Sequence, residues 1–196
     1  MADTRRALLA RIRALEAENR RLRSQAARDP LTGLHTRRFM KDVAGRMLAL
    51  HDRDPDHLVA LIVCDVDRFK ALNDTYGHPA GDAALRRIGA MIRRNVRRAD
   101  LAVRLGGEEF AIFVSGPSAW ACHVLAERLR DAARELRLPG KARGHALTLS
   151  FGVAHHRPKE SLERLIARAD RLLYQAKRAG RDRIEAEAIA RRARRR

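Results

Sequence analysis

The sequence predicts an α/β (α+β) domain built on a mixed, mainly antiparallel central sheet that is flanked by helices and preceded by an N-terminal coiled-coil helix. Three observations carry that expectation. "LVALIVCDV" (58–66) is a continuous apolar, β-branched run ending in an acid, the pattern of a central strand covered on both faces. Strand-like and helix-like segments alternate along the chain. One tight hairpin interrupts that alternation, with Leu101, Val103 and Leu105 leading into "GGEE" and Phe110, Ile112 and Val114 leading out. Alternation together with a hairpin makes the sheet mixed.

Taken in order, residues 5–28 read as one helix. Leu8, Ile12, Leu15, Asn19, Leu22 and Ala26 alternate steps of four and three, a heptad seam. Asn19 falls at an a position between Leu15 and Leu22 at d, which suits a parallel two-stranded register. The alternative is an amphipathic helix packed on its own domain; the heptad pattern favours a homodimer. "RDPLTGLHTRR" then breaks the helix at Asp29-Pro30 and turns the chain at Thr32-Gly33. A helix to about Leu50 follows, then the polar loop "HDRDPDH" and the central strand. Leu85, Ile88, Ile92 and Val96 mark a helix from about Asp82 to Arg98, and the hairpin comes next. Cys122, Leu125, Leu129 and Leu136 mark another helix, "ALTLSFGVAHH" a strand, and Leu162 to Leu173 a final long helix. "RDRIEAEAI" fits a short last strand or a helix equally well. These segments divide the chain into a coiled-coil helix (1–28), a catalytic domain (29–186) and a basic tail (187–196).

Composition narrows the class. With 196 residues and 4% aromatics, Leu, Ile, Val and Ala must fill one core. No run of about 18 apolar residues is present, so no membrane span is expected. "MADTRRALLARIR" is too charged for a secretory signal, and Cys64 and Cys122 lack metal or CxxC spacing. Both thiols read as buried in a reducing, cytoplasmic setting. The net charge of +18 attracts polyanions, yet it is spread over every helix, and only "RRARRR" forms a block. A nucleic-acid partner is therefore not the expectation.

Two adjacent carboxylates, Glu108 and Glu109, at the bend of an apolar hairpin need a reason, because they repel and a buried neighbourhood disfavours them. Glycine explains the bend and not the acids. A solvated hairpin tip is one reading, and a cation site at the end of the sheet is the other. Asp65 bears on the choice, since it ends the central strand, where open sheets collect ligands. Carboxylates from neighbouring strands cradle Mg²⁺, a hard ion that brings phosphates with it. Lys70 follows within one helical turn, and Lys177 and Arg181 stand at i, i+4 spacing at the end of the last helix; such cations suit a polyphosphate. Asn73 and Asp82 offer an amide and a carboxylate to a purine edge, the carboxylate being a natural acceptor for guanine N1–H and N2–H. Each has a plain explanation alone: Asn73 as a helix cap, Asp82 as an N-cap, Lys177 as a solvated charge. Their joint occurrence does not.

The set "DPLTGL", "DVDRFKALNDTYGHPAGD", "RLGGEEF", "LTLSFGVA" and "ADRLLYQAKRAGRDRI" resembles a GGDEF-domain diguanylate cyclase over about residues 29–185. The resemblance implies a sheet related to adenylyl cyclases and polymerase palms, and condensation of two GTP into cyclic di-GMP with release of two pyrophosphates. Carried over by motif, Asp65 and Glu108 bind Mg²⁺ (or Mn²⁺) by side chain and Val66 by its carbonyl. Glu109 is the candidate base for the attacking 3′-hydroxyl. Asn73 and Asp82 recognise guanine, with His78 close to the substrate. Lys70, Lys177 and Arg181 hold phosphates, helped by backbone amides near Arg68 and Phe69, while Gly106 and Gly107 let the hairpin approach the nucleotide.

Two departures stand out: Thr36 replaces the usual Asn of the first motif, and the hairpin carries Glu in its third place, a frequent version among active members. Arg97 and Asp100 form an RxxD, which by chemistry alone reads as a helix-end salt bridge. By resemblance they match the family's product-binding inhibitory site, and Arg128 matches the arginine that completes it from a neighbouring domain. The leading expectation is an active dimeric cyclase. A non-catalytic cyclic di-GMP receptor using the RxxD site is the runner-up, and a charge-driven nucleic-acid binder a distant third.

Overall fold

The computed structural model describes residues 11–12, 27–54, 58–116 and 119–187. The heptad seam of residues 5–28 falls almost wholly outside the described residues, as does the basic tail beyond Glu187. In chain order the elements are β1 (His35–Thr36), α1 (Arg37–Arg53), β2 (Leu58–Val66), α2 (Phe69–Tyr76), α3 (His78–Asn95), β3 (Leu101–Gly106), β4 (Glu109–Gly116), α4 (Ala119–Arg134), β5 (Leu149–His155), α5 (Leu162–Arg178) and β6 (Ile184–Ala186). A 3₁₀ turn, Gly140–Ala142, precedes β5.

The six strands lie in the order β1-β3-β4-β2-β5-β6. The three inner pairings are antiparallel and the two outer ones, β1 with β3 and β5 with β6, are parallel. The sheet is thus mixed and mainly antiparallel, as expected. β2 reads as continuously apolar because each of its faces is covered. Ala60, Ile62, Cys64 and Val66 join Leu72 of α2, Ile88 of α3 and Leu129 of α4 in one core. Val59, Leu61 and Val63 join Met40 and Leu48 of α1 and Leu165 and Leu173 of α5 in the other. Alternate side chains of one strand therefore feed two separate cores. Among the described residues no helix is long and apolar enough to cross a membrane.

Some element boundaries differ from the periodicity. The helix expected from Asp82 to Arg98 begins at His78 and ends at Asn95, so Asp82 is an interior residue rather than an N-cap. Gly77, at φ 82°, closes α2 and opens α3 together, and Pro79 sits in the first turn of α3, where its missing N–H costs nothing. α2 buries only Phe69 and Leu72, too few positions to show a stripe, and Asn73 lies inside it. Thr36, the departure in the first motif, caps α1: its side chain accepts the N–H of Phe39 at 3.4 Å. The ambiguous last segment is a strand, β6, parallel to β5. Helix α5 ends at Arg178, so Arg181 is not on the last helical turn with Lys177. Gly180, at φ 119°, takes the chain out of the helix, and the Arg181 N–H returns to the Ala176 carbonyl at 3.0 Å.

Gly152 of β5 sets how closely α5 approaches the sheet. A Cβ there would collide with backbone atoms of α5, the Ala169 carbonyl oxygen and the Leu173 nitrogen. Gly152→Ala is expected to push α5 outward and to lower stability by about 1–3 kcal/mol, the cost of overpacking. Urea unfolding measures this, and an unchanged midpoint would contradict the packing described.

Candidate active site

Strand register assembles the acidic groups. Asp65, one residue from the end of β2, lies opposite Glu109 on β4 and opposite Ser150 on β5. The Val66 N–H donates to the Glu108 carbonyl at 3.3 Å, which fastens the hairpin turn to the end of the central strand. Carboxylates more than forty positions apart, Asp65 and Glu108–Glu109, thereby share one end of the sheet. The turn between β3 and β4 runs through Gly107 at φ 48°, a backbone conformation that glycine adopts without penalty. A Cβ on Gly106 or Gly107 would meet nothing within 4 Å, so the hairpin tip faces open space.

Arg104 braces that tip. Its Nε and Nη2 donate to the Gly107 carbonyl at 3.1 and 2.7 Å, and its Nη1 donates to the two carboxylate oxygens of Asp29 at 3.1 and 3.2 Å. Asp29 also accepts the N–H and hydroxyl of Thr32 at 2.8 and 2.7 Å. Burial opposes ionisation of Asp29, but the Thr32 hydrogen bonds and the Arg104 guanidinium together hold its carboxyl below the usual range. The "DPLTGL" segment is thus tied directly to the hairpin.

The site is electrostatically tense. Asp65 is 5% exposed, and the Lys177 ammonium lies 2.9 Å from its Oδ2. Burial pushes the Asp65 carboxyl up; Lys177 pulls it back, while Glu109 and Asp67 push it further up. Glu108, half-buried, is raised by burial and by Asp65, with Lys177 acting against them and Glu109 with them. Glu109 is exposed. Among the described residues no group of three or more His, Cys, Asp or Glu side chains converges as a ready metal cage. Mg²⁺ does not need one, since it keeps waters and phosphates and takes one or two carboxylates. Lys177 already stands as a cation against Asp65. A donor set of hard oxygens whose ionisation is opposed by burial and helped by a positive charge fits a divalent ion.

The neighbouring elements place the remaining predicted residues. Arg68 sits in the left-handed region at φ 55° and starts α2, leaving the first N–H groups of that helix, at Phe69 and Lys70, without intrahelical acceptors. Lys70 and Arg68 are exposed and Phe69 is buried. Asn73 packs against Gly81 of α3, where a Cβ would strike its amide. Its Oδ1 is buried without a hydrogen-bond partner among the described residues. Asp82, exposed on α3 beside that contact, faces Arg86 at 3.7 Å, and His78 is exposed at the helix start.

The RxxD residues follow the end of α3, which Arg128 also reaches. Asp100 accepts the backbone N–H of Arg97 at 2.8 Å and that of Ser115 at 3.4 Å, so it closes the turn between α3 and β3. Arg128 of α4 donates to the Asn95 carbonyl at the end of α3, at 2.5 Å. Arg97 and Arg128 are both exposed there. The simple side-chain salt bridge is not the arrangement: the Asp100 carboxylate is engaged by backbone.

Sequence reasoning passed over Asp29, Arg104, Asp67 and Ser150. Ser150 had a signal, being a polar residue inside "LTLSFGVA"; it is fully buried, and its hydroxyl donates to Asp67 at 2.6 Å.

The family model described as "Diguanylate cyclase, GGDEF domain" matches residues 26–183, and the chain belongs to that family. The diguanylate cyclase DgcP of Pseudomonas aeruginosa is 38% identical over 186 residues, spanning 91% of this chain and 28% of its own. The diguanylate cyclase DosC of Escherichia coli is 41% identical over 165 residues, spanning 83% of this chain and 35% of its own. The chain therefore spans about a third or less of the length of these two relatives. The coiled coil and GGDEF domain of DgcB from Caulobacter crescentus, solved in complex with c-di-GMP, superposes with a TM-score of 0.82 at 31% identity, over 91% of this chain and 95% of that one. The diguanylate cyclase SiaD from P. aeruginosa, solved with its activator SiaC, gives 0.79 at 33% identity, over 92% and 70%.

The Glu108 environment has a consequence for stability. Its raised folded-state pKa means that folding disfavours the ionised form, a cost present above the raised pKa and absent where the group is protonated in both states. Metal-free Glu108→Gln is expected to melt about 1–2 °C higher at neutral pH, the gain fading as pH falls through the carboxylate range. A gain that persists undiminished in acid would contradict this origin.

Proposed function

We propose that the chain is the catalytic unit of a diguanylate cyclase that condenses two GTP into cyclic di-GMP. In each of two steps a 3′-hydroxyl of one GTP attacks the α-phosphorus of the other. A P–O bond forms, the α–β bridging bond breaks, and pyrophosphate leaves. The observation that carries the reading is the pairing of Asp65 with the Glu108–Glu109 turn across β2 and β4, with Lys177 against the buried acid.

Asp65, Glu108 and the Val66 carbonyl would hold Mg²⁺ (or Mn²⁺). Such an ion, when bound, screens the phosphates and stabilises charge on the departing oxygen. Glu109, exposed and adjacent, takes the proton of the attacking hydroxyl. Lys177 moves from Asp65 to the phosphates, where Lys70 and Arg181 add charge and the opening N–H groups of α2 donate. The Asn73 amide, whose Oδ1 has no hydrogen-bond partner among the described residues, and the Asp82 carboxylate read guanine, and His78 borders them. Gly106 and Gly107 let the nucleotide lie against the hairpin backbone.

One domain holds one GTP, so two must face each other; the heptad helix over residues 1–28 supplies the homodimer. Arg97 and Asp100, completed by Arg128 of a neighbouring domain, bind the product cyclic di-GMP and inhibit. Cys64 and Cys122 are both buried and neither is in a disulfide, as suits the cytoplasm.

Glu109→Gln is expected to lower kcat by about 100-fold or more while GTP binding stays within about twofold. Asp65→Asn should weaken metal-dependent GTP binding as well. Cyclic dinucleotide is read by nucleotide separation, and normal turnover by both variants would overturn the site assignment. Arg97→Ala should keep the initial rate and lose product inhibition; inhibition that survives in Arg97→Ala and Asp100→Ala would leave RxxD as a turn closure alone.

A further inference from the structure

One buried carboxylate near the site has no part in the chemistry above. Asp67 is 8% exposed and lies two residues beyond Asp65, in the turn between β2 and α2. Its Oδ1 accepts the Ser150 hydroxyl at 2.6 Å. Its Oδ2 accepts the Thr148 hydroxyl at 2.8 Å and the backbone N–H of Asp182 at 3.0 Å. The Asp67 N–H donates to the Thr148 carbonyl at 3.0 Å. Three segments distant in sequence therefore meet on one side chain: the end of β2, the entry to β5 and the turn after α5.

The turn after α5 is the part that needs holding. Arg181 and Asp182 are consecutive non-glycine residues at positive φ, 66° and 50°. Such conformations persist only where the surroundings over-determine them. Asp67 fixes the turn at its backbone. Arg134, at the end of α4, fixes it at its side chain, with Nε 3.0 Å from each Asp182 carboxylate oxygen and Nη2 2.8 Å from Oδ2. Arg181, adjacent to this doubly held residue, is thereby set at a fixed place relative to Asp65, two residues from Asp67.

We propose that Asp67 is a positioning residue for the triphosphate, with Arg134 and Asp182 as its outer brace. The proposal rests on the cyclase reading of the site, in which Arg181 meets phosphate. Asp67 acts by geometry and not by charge: its oxygens hold the turn that presents Arg181. An asparagine can do most of this, because its oxygen can take the Thr148 hydroxyl and the Asp182 N–H while its amide donates to a rotated Ser150 hydroxyl. An alanine can do none of it.

The test compares binding of the α,β-methylene analogue of GTP with binding of GMP, by calorimetry in Mg²⁺, and steady-state kinetics with GTP. In Asp67→Ala the analogue should bind about tenfold more weakly and GMP within about twofold of normal, with KM raised more than kcat is lowered. Asp67→Asn should recover analogue affinity to within about threefold. Arg134→Ala, an exposed change that leaves the core intact, should show the same selective loss at about threefold. Equal loss for both ligands, loss for neither, or an asparagine variant as impaired as alanine would overturn the proposal. Should Asp67→Ala fail to fold, Arg134→Ala decides: selective weakening of the analogue upholds the proposal, and unchanged or unselective binding overturns it. An unmodified chain with no preference for the analogue over GMP would refute the phosphate site itself, and this proposal with it.

Discussion

β2 is hydrogen-bonded on both sides, to β4 and to β5, and its register against each decides where every acidic group of the site falls. A slip of one residue would turn Asp65 to the opposite face and bury it among the other set of apolar side chains. Two cores guard against that slip, because Ala60, Ile62 and Cys64 fill one face while Val59, Leu61 and Val63 fill the other. The hydrophobic alternation along a single strand is thus what fixes the address of a buried charge at its end.

That charge is tolerated because it is shared. Asp65 leans on Lys177 from α5, a helix seated against β5 over Gly152. The hairpin acids are held from the other side, through Arg104 to Asp29 and through the Val66 to Glu108 backbone bond. Buried or half-buried carboxylates with raised pKa values are a stability cost that an apolar sheet end would not carry. Their place beside an ammonium suits a site that exchanges one cation for another as a polyphosphate arrives.

Much of this was legible in the sequence because it is local. β2 announced itself by seven residues of unbroken apolarity, Leu58 to Cys64, the hairpin by its glycines, and α5 by its long apolar stripe. What was hidden depends on partners far along the chain. Asp67 finds Ser150 and Thr148 more than eighty residues away and Asp182 115 away, and no local pattern encodes those bonds. The break between α2 and α3 was missed because α2 has only two buried positions. β6, three half-buried residues pairing in parallel at an edge, carries too short a pattern to separate strand from helix. The i, i+4 reading of Lys177 and Arg181 failed at Gly180, where the helix had already ended.

The central claim is that Asp65 and the Glu108 turn form the cation site and that Lys177 guards it. Crystals soaked with Mn²⁺ and the α,β-methylene GTP analogue test this directly through the anomalous signal of manganese. The expected density lies on the Asp65 carboxylate, the Val66 carbonyl and Glu108, with the Lys177 ammonium moved off Asp65 toward phosphate. Manganese bound elsewhere, or Lys177 still paired with Asp65 while the nucleotide is in place, would contradict it.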